Sequence, residues 1–230
     1  MARLLVHVEG QTEESFVNEI LRPYLVSRGF ESVSARIMGN ARLRRRRGGI
    51  RPWPTVRKDI IGHLRQDRNC TATTMVDFYG LPQRGDGAWP GRAGANGLEI
   101  HGKALFVEEA MLRNLTENLE SDLDAKRFVP FVIMHEFEGL LFSDCAAFSQ
   151  GIGRQDLESR LRDIRDQFET PEDINDSPLT APSKRVQDLV PGYEKPFLGT
   201  LAALEIGLDR IRAECRHFSD WLQRLESRSQ

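Results

Sequence analysis

Four carboxylates in this chain stand where short apolar runs end. Glu9 follows Leu4-Leu5-Val6-His7-Val8, Asp77 follows Ala72-Thr73-Thr74-Met75-Val76, and Glu136 and Glu138 follow Phe131-Val132-Ile133-Met134-His135. A fifth, Glu13, comes four residues after Glu9, across Gly10. If the apolar runs are strands of one sheet, these acids reach one edge of it, where open α/β sheets place their ligands. An all-oxygen set without paired His or Cys suits a hard cation, Mg²⁺ or Mn²⁺, which would relieve the mutual repulsion of the carboxylates. Two such ions roughly 4 Å apart are the usual device for phosphodiester hydrolysis. The plainer reading is that each acid merely ends a strand in water, and that Glu13 is a favourable first-turn charge on a helix.

The elements that must position these acids are legible from periodicity. Residues 4–8 are rich in β-formers and read as a buried strand. Gly10 allows a tight turn, and Thr12 is the expected N-cap of a helix over 13–28. Further strands are predicted over 32–38, 72–78 and 128–135, with Glu136 and Glu138 extended beyond the last and sharing one face. Thr55 is expected to cap a helix through Ile60 and Leu64, and an amphipathic helix is predicted over 102–119. This alternation predicts an α/β fold with a mostly parallel four-stranded sheet between helices. The second half reads as helical over 155–168, 183–189 and 197–225, with a break at Gly207. The expected organisation is an α/β core over 1–145 and a helical extension over 146–230 packed on it. Phe16, Phe106, Leu112, Phe142 and Trp221 are predicted core residues.

The chain has 230 residues, 40% hydrophobic and 29% charged, with a formal net charge of -2. That belongs to an ordinary globular protein. Three scattered cysteines without metal-ligand spacing, no apolar run long enough for a bilayer and no signal-peptide pattern make a cytoplasmic protein without a membrane partner the expectation. The near-neutral total hides a basic block, Arg42, Arg44, Arg45, Arg46, Arg47 and Arg51. With Trp53 available for stacking, this block is a candidate nucleic-acid contact, or else a solvated loop. Lys184, Arg185 and Lys195, in proline-punctuated loops, could neutralise phosphate. His7 and His135 read as core histidines, and His217 has no evident partner. The stretch 80–97, with Trp89 and several glycines, is either a lid or a surface excursion.

The opening Leu5-Val6-His7-Val8-Glu9-Gly10-Gln11-Thr12-Glu13 resembles the first motif of Toprim domains, as found in topoisomerases, primases and several nucleases. The acid at Glu13 brings it nearer to the overcoming-lysogenisation-defect (OLD) nucleases. Met75-Val76-Asp77-Phe78-Tyr79-Gly80 and His135-Glu136-Phe137-Glu138-Gly139-Leu140-Leu141-Phe142, with Asn175-Asp176-Ser177-Pro178 and Pro182-Ser183-Lys184-Arg185, resemble a family of uncharacterised bacterial Toprim-like proteins over nearly the whole chain. The resemblance implies Mg²⁺ at the motif acids; taken with the strand-end acids, one or two Mg²⁺ or Mn²⁺ ions are expected at Glu9, Glu13, Asp77, Glu136 and Glu138. Glu9 corresponds to the Toprim glutamate that binds metal or acts as general acid/base, and Asp77 to the first acid of Asp-x-Asp. Tyr79 stands where the second aspartate belongs, so either Glu136 and Glu138 complete the site or metal binding is weakened. The expected activity is metal-dependent cleavage of DNA or RNA, with Lys184 or an arginine assisting. A companion ATPase and a role in anti-phage defence come from the family. The alternatives are a non-catalytic subunit binding nucleic acid or the ATPase, and a small-nucleotide phosphohydrolase.

Overall fold

The computed structural model describes residues 2–38, 49–174 and 180–229. From the amino end run β1 (Arg3–Val8), α1 (Gln11–Phe16), a wider π turn over Val17–Leu21, α2 (Arg22–Ser27), β2 (Ser32–Ile37), α3 (Trp53–Gln66), β3 (Cys70–Asp77), α4 (Ile100–Glu117), β4 (Phe128–Val129) and β5 (Val132–Ile133). There follow α5 (Glu138–Leu141), α6 (Cys145–Gly151), α7 (Glu158–Arg165), α8 (Pro182–Leu189), α9 (Lys195–Ile206), α10 (Leu208–Glu214) and α11 (Arg216–Glu226). The sheet order is β2-β1-β3, with β4 and β5 both on the far side of β3, and every pairing is parallel. The fold is α/β, with helices covering a parallel sheet on both faces.

Strand composition follows from that cover. In β3 every residue from Cys70 to Val76 is buried, as a parallel strand packed on both faces requires. Leu4, Val6, Val8, Val33 and Met75 face a core that also holds Phe16, Phe137, Phe148, Phe218 and Trp221. Ala72, Val76, Phe128 and Val132 face the opposite core of α3 and α4, with Trp53, Ile60, Val107 and Met111.

Several expected boundaries move. The first helix begins at Gln11 with Gly10 as N-cap, and Thr12 is buried inside its first turn. The π turn sits just before Pro23, which has no N–H for the helical ladder. The helix expected after Thr55 begins at Trp53. The predicted strand over 128–135 is split into β4 and β5 at Pro130, which cannot donate to β3. Thr73 and Thr74 bridge the gap. The Thr74 hydroxyl accepts from Phe131 N–H at 3.0 Å and donates to the Phe131 carbonyl at 2.9 Å. The Thr73 hydroxyl donates to the Val129 carbonyl and accepts the Trp221 indole N–H at 2.9 Å. The predicted helix over 197–225 is three helices, broken at Gly207 (φ 78°) as expected and again at Cys215. Phe106, expected in the core, is 42% exposed.

The carboxyl-terminal helices complete the first core. Trp221 of α11 stacks on Phe131 with ring centroids 4.2 Å apart. His217, partnerless by sequence, is held by buried Glu108 of α4 at 2.8 Å, and Glu108 also accepts from Arg224 at 3.1 Å and from Val132 N–H at 2.9 Å. Glu172 accepts the His217 and Phe218 N–H groups that open α11. Burial opposes the charge on His217, but the Glu108 carboxylate outweighs it and raises the imidazole above its usual 6.5. A raised histidine stabilises the fold fully below its unfolded pKa and loses that contribution as pH rises through the folded value. Chemical denaturation of the wild-type chain should therefore show stability declining above about pH 6.5. His217→Gln, which keeps a donor but cannot titrate, should flatten that decline. An unchanged pH profile in the variant would refute the ion pair.

Candidate functional site

The site is built where β1 and β3 end side by side. Their parallel register, Val8 opposite Met75, brings Glu9 and Asp77 out at the same edge. Gly10 is extended (φ -149°) and its N–H donates to Glu13 Oε2 at 2.9 Å, so Glu13 ties the start of α1 back to the strand end. Asp77 Oδ1 accepts from Phe137 N–H at 3.0 Å, and Tyr79 N–H donates to the His135 carbonyl at 3.3 Å. The turns that follow β3 and β5 are thereby clasped together. At that clasp His135 takes φ 65°, the left-handed value of a single non-glycine among the described residues. Glu136 and Glu138 are consequently not extended as expected; Glu138 opens α5.

Space at the edge is tight. A Cβ at Gly80 would stand 3.0 Å from Glu9 Oε2 and 3.2 Å from Oε1. Glu136 Oε2 accepts from Ser183 N–H at 2.9 Å, near the start of α8. Glu138 is buried and its carboxylate meets Lys195 Nζ at 3.1 Å. Lys195 is the first residue of α9, and Gly151 lets α6 close against that helix, since a Cβ there would fall 2.7 Å from Ala202 Cα. Met38 N–H and Gly49 N–H donate to the Val8 and Glu9 carbonyls at 2.9 Å each.

These carboxylates share one field. Burial is the first cause that raises Glu9, and Glu136 and Glu138 add to it against Lys195. Burial likewise raises Glu13, with Glu9 contributing. Asp77 is raised furthest, by burial and then by Glu13, Glu9 and Glu138. Glu138 is raised by burial against the pull of Lys195. Burial works against the charge of Lys195, yet Glu138, Glu136 and Asp77 together lift its ammonium above its ordinary value.

The structure thus brings Glu9 within electrostatic reach of Glu13, Asp77, Glu136 and Glu138. Among the described residues, no three or more Asp, Glu, His or Cys side chains form a coordination shell ready for a metal ion. The donor chemistry fits a hard cation all the same: every ligand candidate is a carboxylate, and Glu9 Oε2 is buried without a hydrogen-bond partner among the described residues. Lys184, next to Ser183 in α8, is exposed and bonds Gln187 at 3.4 Å. Lys195 is the lysine that pairs with an acid of this edge, Glu138. Arg42, Arg44, Arg45, Arg46 and Arg47 lie outside the described residues. Arg51 is half-buried and its carbonyl accepts the Trp89 indole N–H at 2.8 Å. Trp53 cannot stack on a base, because it is buried against Trp89 and bonds Asn114 at 2.8 Å. Trp89 is itself core, and buried Arg92 lies 3.9 Å over the Phe78 ring, so the stretch 80–97 is packed rather than a free lid. Tyr79 packs 5.7 Å from the His135 ring. Sequence reading missed Tyr193, a buried tyrosine two residues before Lys195.

With this geometry in place, comparison with known proteins assigns a family. The chain belongs to the family described as "Domain of unknown function (DUF4276)". Its model matches residues 8–226, from the end of β1 to the end of α11. A search of curated proteins gives no match. Among solved structures, the DUF4276 chain is similar to the "C-terminal region of the Xanthomonas campestris pv. campestris OLD protein phased with iodine", at 15% identity and a TM-score of 0.39, covering 97% of each chain. A likeness at that level carries no argument about function.

The Glu138–Lys195 pair gives a direct test of the site's electrostatics. Lys195→Met should cost about 1–3 kcal/mol, less than a fully buried pair because the Lys195 side chain is 38% exposed. Adding Glu138→Gln should recover most of the loss in a double-mutant cycle read by denaturant unfolding. Additive losses would mean that the two side chains do not interact.

Proposed function

We propose that this DUF4276 chain is a Mg²⁺- or Mn²⁺-dependent phosphodiesterase of Toprim type, acting on DNA or RNA. The observation that carries this reading is the convergence of Glu9, Asp77 and Glu138, from three separate segments, around one ammonium group at the carboxyl edge of a parallel sheet. Acids so buried and so close are costly unless they serve a cation or a proton transfer. A bound divalent cation would neutralise charge on a phosphodiester and acidify the attacking water. Glu9, Glu13, Asp77, Glu136 and Glu138 would hold one or two such ions. Glu9, with one oxygen lacking a partner, is the candidate to accept a proton. Lys195, in place of Lys184, would meet the negative charge that develops on the phosphate.

The Toprim resemblance of the opening motif supports the same reading and extends it to a companion ATPase and anti-phage defence. Tyr79, where Toprim domains carry a second aspartate, favours a second reading: a subunit that binds nucleic acid or an ATPase without cutting. The arginine block, Arg42 to Arg47 with Arg51, would hold the phosphate backbone in either case.

Supercoiled plasmid, single-stranded DNA and total RNA incubated with Mg²⁺ or Mn²⁺ separate these readings. Cleavage should be abolished by chelation and reduced at least ~100-fold by Glu9→Gln or Asp77→Asn, a loss of roughly 2.7 kcal/mol in transition-state stabilisation. Cleavage that persists in both variants would sink the proposal. If no substrate is cut but nucleic acid is bound, the second reading stands. Replacing Arg44, Arg45, Arg46 and Arg47 by Ser should weaken binding similarly for all sequences and lower its salt dependence, by up to about 0.9 in slope for each phosphate no longer neutralised. Equal salt slopes before and after would remove the block from the interface.

A further inference from the structure

A depression of about 440 Å³ on the solvent face of α3 is lined by Arg57, Lys58 and Arg65 and by no carboxylate. Neither Arg57 nor Lys58 has a carboxylate partner among the described residues. Arg57 is oriented by a neutral group instead. Its Nη1 donates at 2.7 Å to Asn114 Oδ1, which also accepts the Trp53 indole N–H at 2.8 Å. Arg65 meets Glu120 at 2.6 Å, but both side chains are more than half exposed, so the pair is weak and can exchange. Gly62 shares the helix face of Lys58 and Arg65 and opens the notch between them. A glycine inside a helix is unfavourable, yet a Cβ there would meet nothing within 4 Å, so packing does not call for it. Because β2 and β3 both run parallel to β1, α3 between them runs back against the strands. Asp67, just past its end, bonds Arg3 at the start of β1 at 2.7 Å, so its first turns point toward the acidic edge. From Arg57 to Arg65 the axis rises about 12 Å, roughly three to four nucleotides at about 3.4 Å of rise per strand.

We infer that this face of α3 binds the phosphate backbone of a nucleic acid that leads to the acidic edge. Arg57 and Lys58 hold the phosphates nearer that edge, and Arg65 leaves Glu120 for one farther out. The inference rests on the nucleic-acid reading above and adds to it a surface outside both the motif residues and the arginine block. Such contacts fix the path of a strand without selecting its sequence, so DNA and RNA would be held alike.

The test titrates the full chain into a fluorescein-labelled single-stranded DNA, its duplex and the matching RNA, with chelator present and salt varied, and reads anisotropy. Gly62→Glu puts a carboxylate in the notch. It should keep or raise the melting temperature, since glutamate is the better helix former, while weakening all three probes roughly tenfold. Gly62→Ala should bind as wild type does. Arg57→Gln, which keeps a donor for Asn114, combined with Lys58→Ser should weaken all three probes as well. It should lower the salt slope by up to about 0.9 per lost contact on duplex and about 0.7 on single strands. Arg160→Ser with Arg216→Ser, which removes two exposed charges on α7 and α11, should leave the slope unchanged. Wild-type affinity in either α3 variant, or an equal loss in the Arg160 and Arg216 control, would overturn the inference and leave cleavage at the acidic edge untouched. If the wild-type chain binds no probe, the inference fails; if it also cuts none of the substrates above, the parent reading fails with it.

Discussion

Repulsion among buried carboxylates is the constraint around which the rest of this molecule is arranged. Glu9, Glu13, Asp77 and Glu138 each have their charge penalised by burial, and the neighbouring acids add to the penalty. Such a cluster holds together only if the scaffold fixes its members more strongly than they push apart. Glu13, Asp77 and Glu136 each give one oxygen to a backbone N–H, of Gly10, Phe137 and Ser183 respectively. These bonds favour the charged form and set the direction of each carboxylate. Glu138 is held by Lys195, and Glu9 by the backbone at Asp77 and close walls at Gly80.

The clasp between the two turns shows how this fixing is achieved. Asp77 ends β3, and Phe137 lies beyond β5, on a neighbouring strand of the same sheet. For Phe137 to present its N–H to Asp77, the chain must reverse sharply after Ile133, and His135 adopts a left-handed conformation to do so. A non-glycine in that region stores strain of order 1–3 kcal/mol. The buried core on either side of it, Met134 and Phe137, holds the turn in that shape.

Much of this was legible in the sequence, and the reasons for the exceptions are physical. Continuous apolar runs located β1 and β3, because strands paired on both sides leave little freedom in composition, and period-two alternation located the edge strand β2, which turns one face to the core. Glu9 and Asp77 were readable for the same reason: each directly follows such a run. The strand before Glu136 was only partly readable. Pro130 breaks its ladder, and the threonine hydroxyls that bridge the gap come from a strand more than fifty residues away. Glu138 was expected to share an extended segment with Glu136, but a tertiary hydrogen bond to Asp77 starts a helix there. Lys195 could not be ranked above Lys184 by sequence. Both lie near prolines, and only the packing of α9 brings Lys195 to Glu138. Trp53 misleads in the opposite sense, since an indole beside arginines reads as a stacking platform until its burial against Trp89 is seen.

That packing gives the helical second half a chemical role beyond covering the sheet. The cation of the acidic edge comes from α9, and the amide that holds Glu136 comes from α8. α9 reaches the edge because two glycines permit backbone approach, Gly151 from α6 and Gly199 on α9 itself facing Tyr193 and Thr12. The α/β half supplies the negative charge and the Gly10 and Phe137 donors, and the helices beyond Leu141 add Lys195 and the Ser183 amide. A substitution that lifts α9 by an ångström would therefore leave the sheet intact but leave Glu138 buried without its partner. The same reasoning explains why α11 is tied so firmly to β3 and α4, through Trp221 to Thr73 and through His217 to Glu108. Those bonds anchor the far end of the helical layer, so that its near end holds position at the acids.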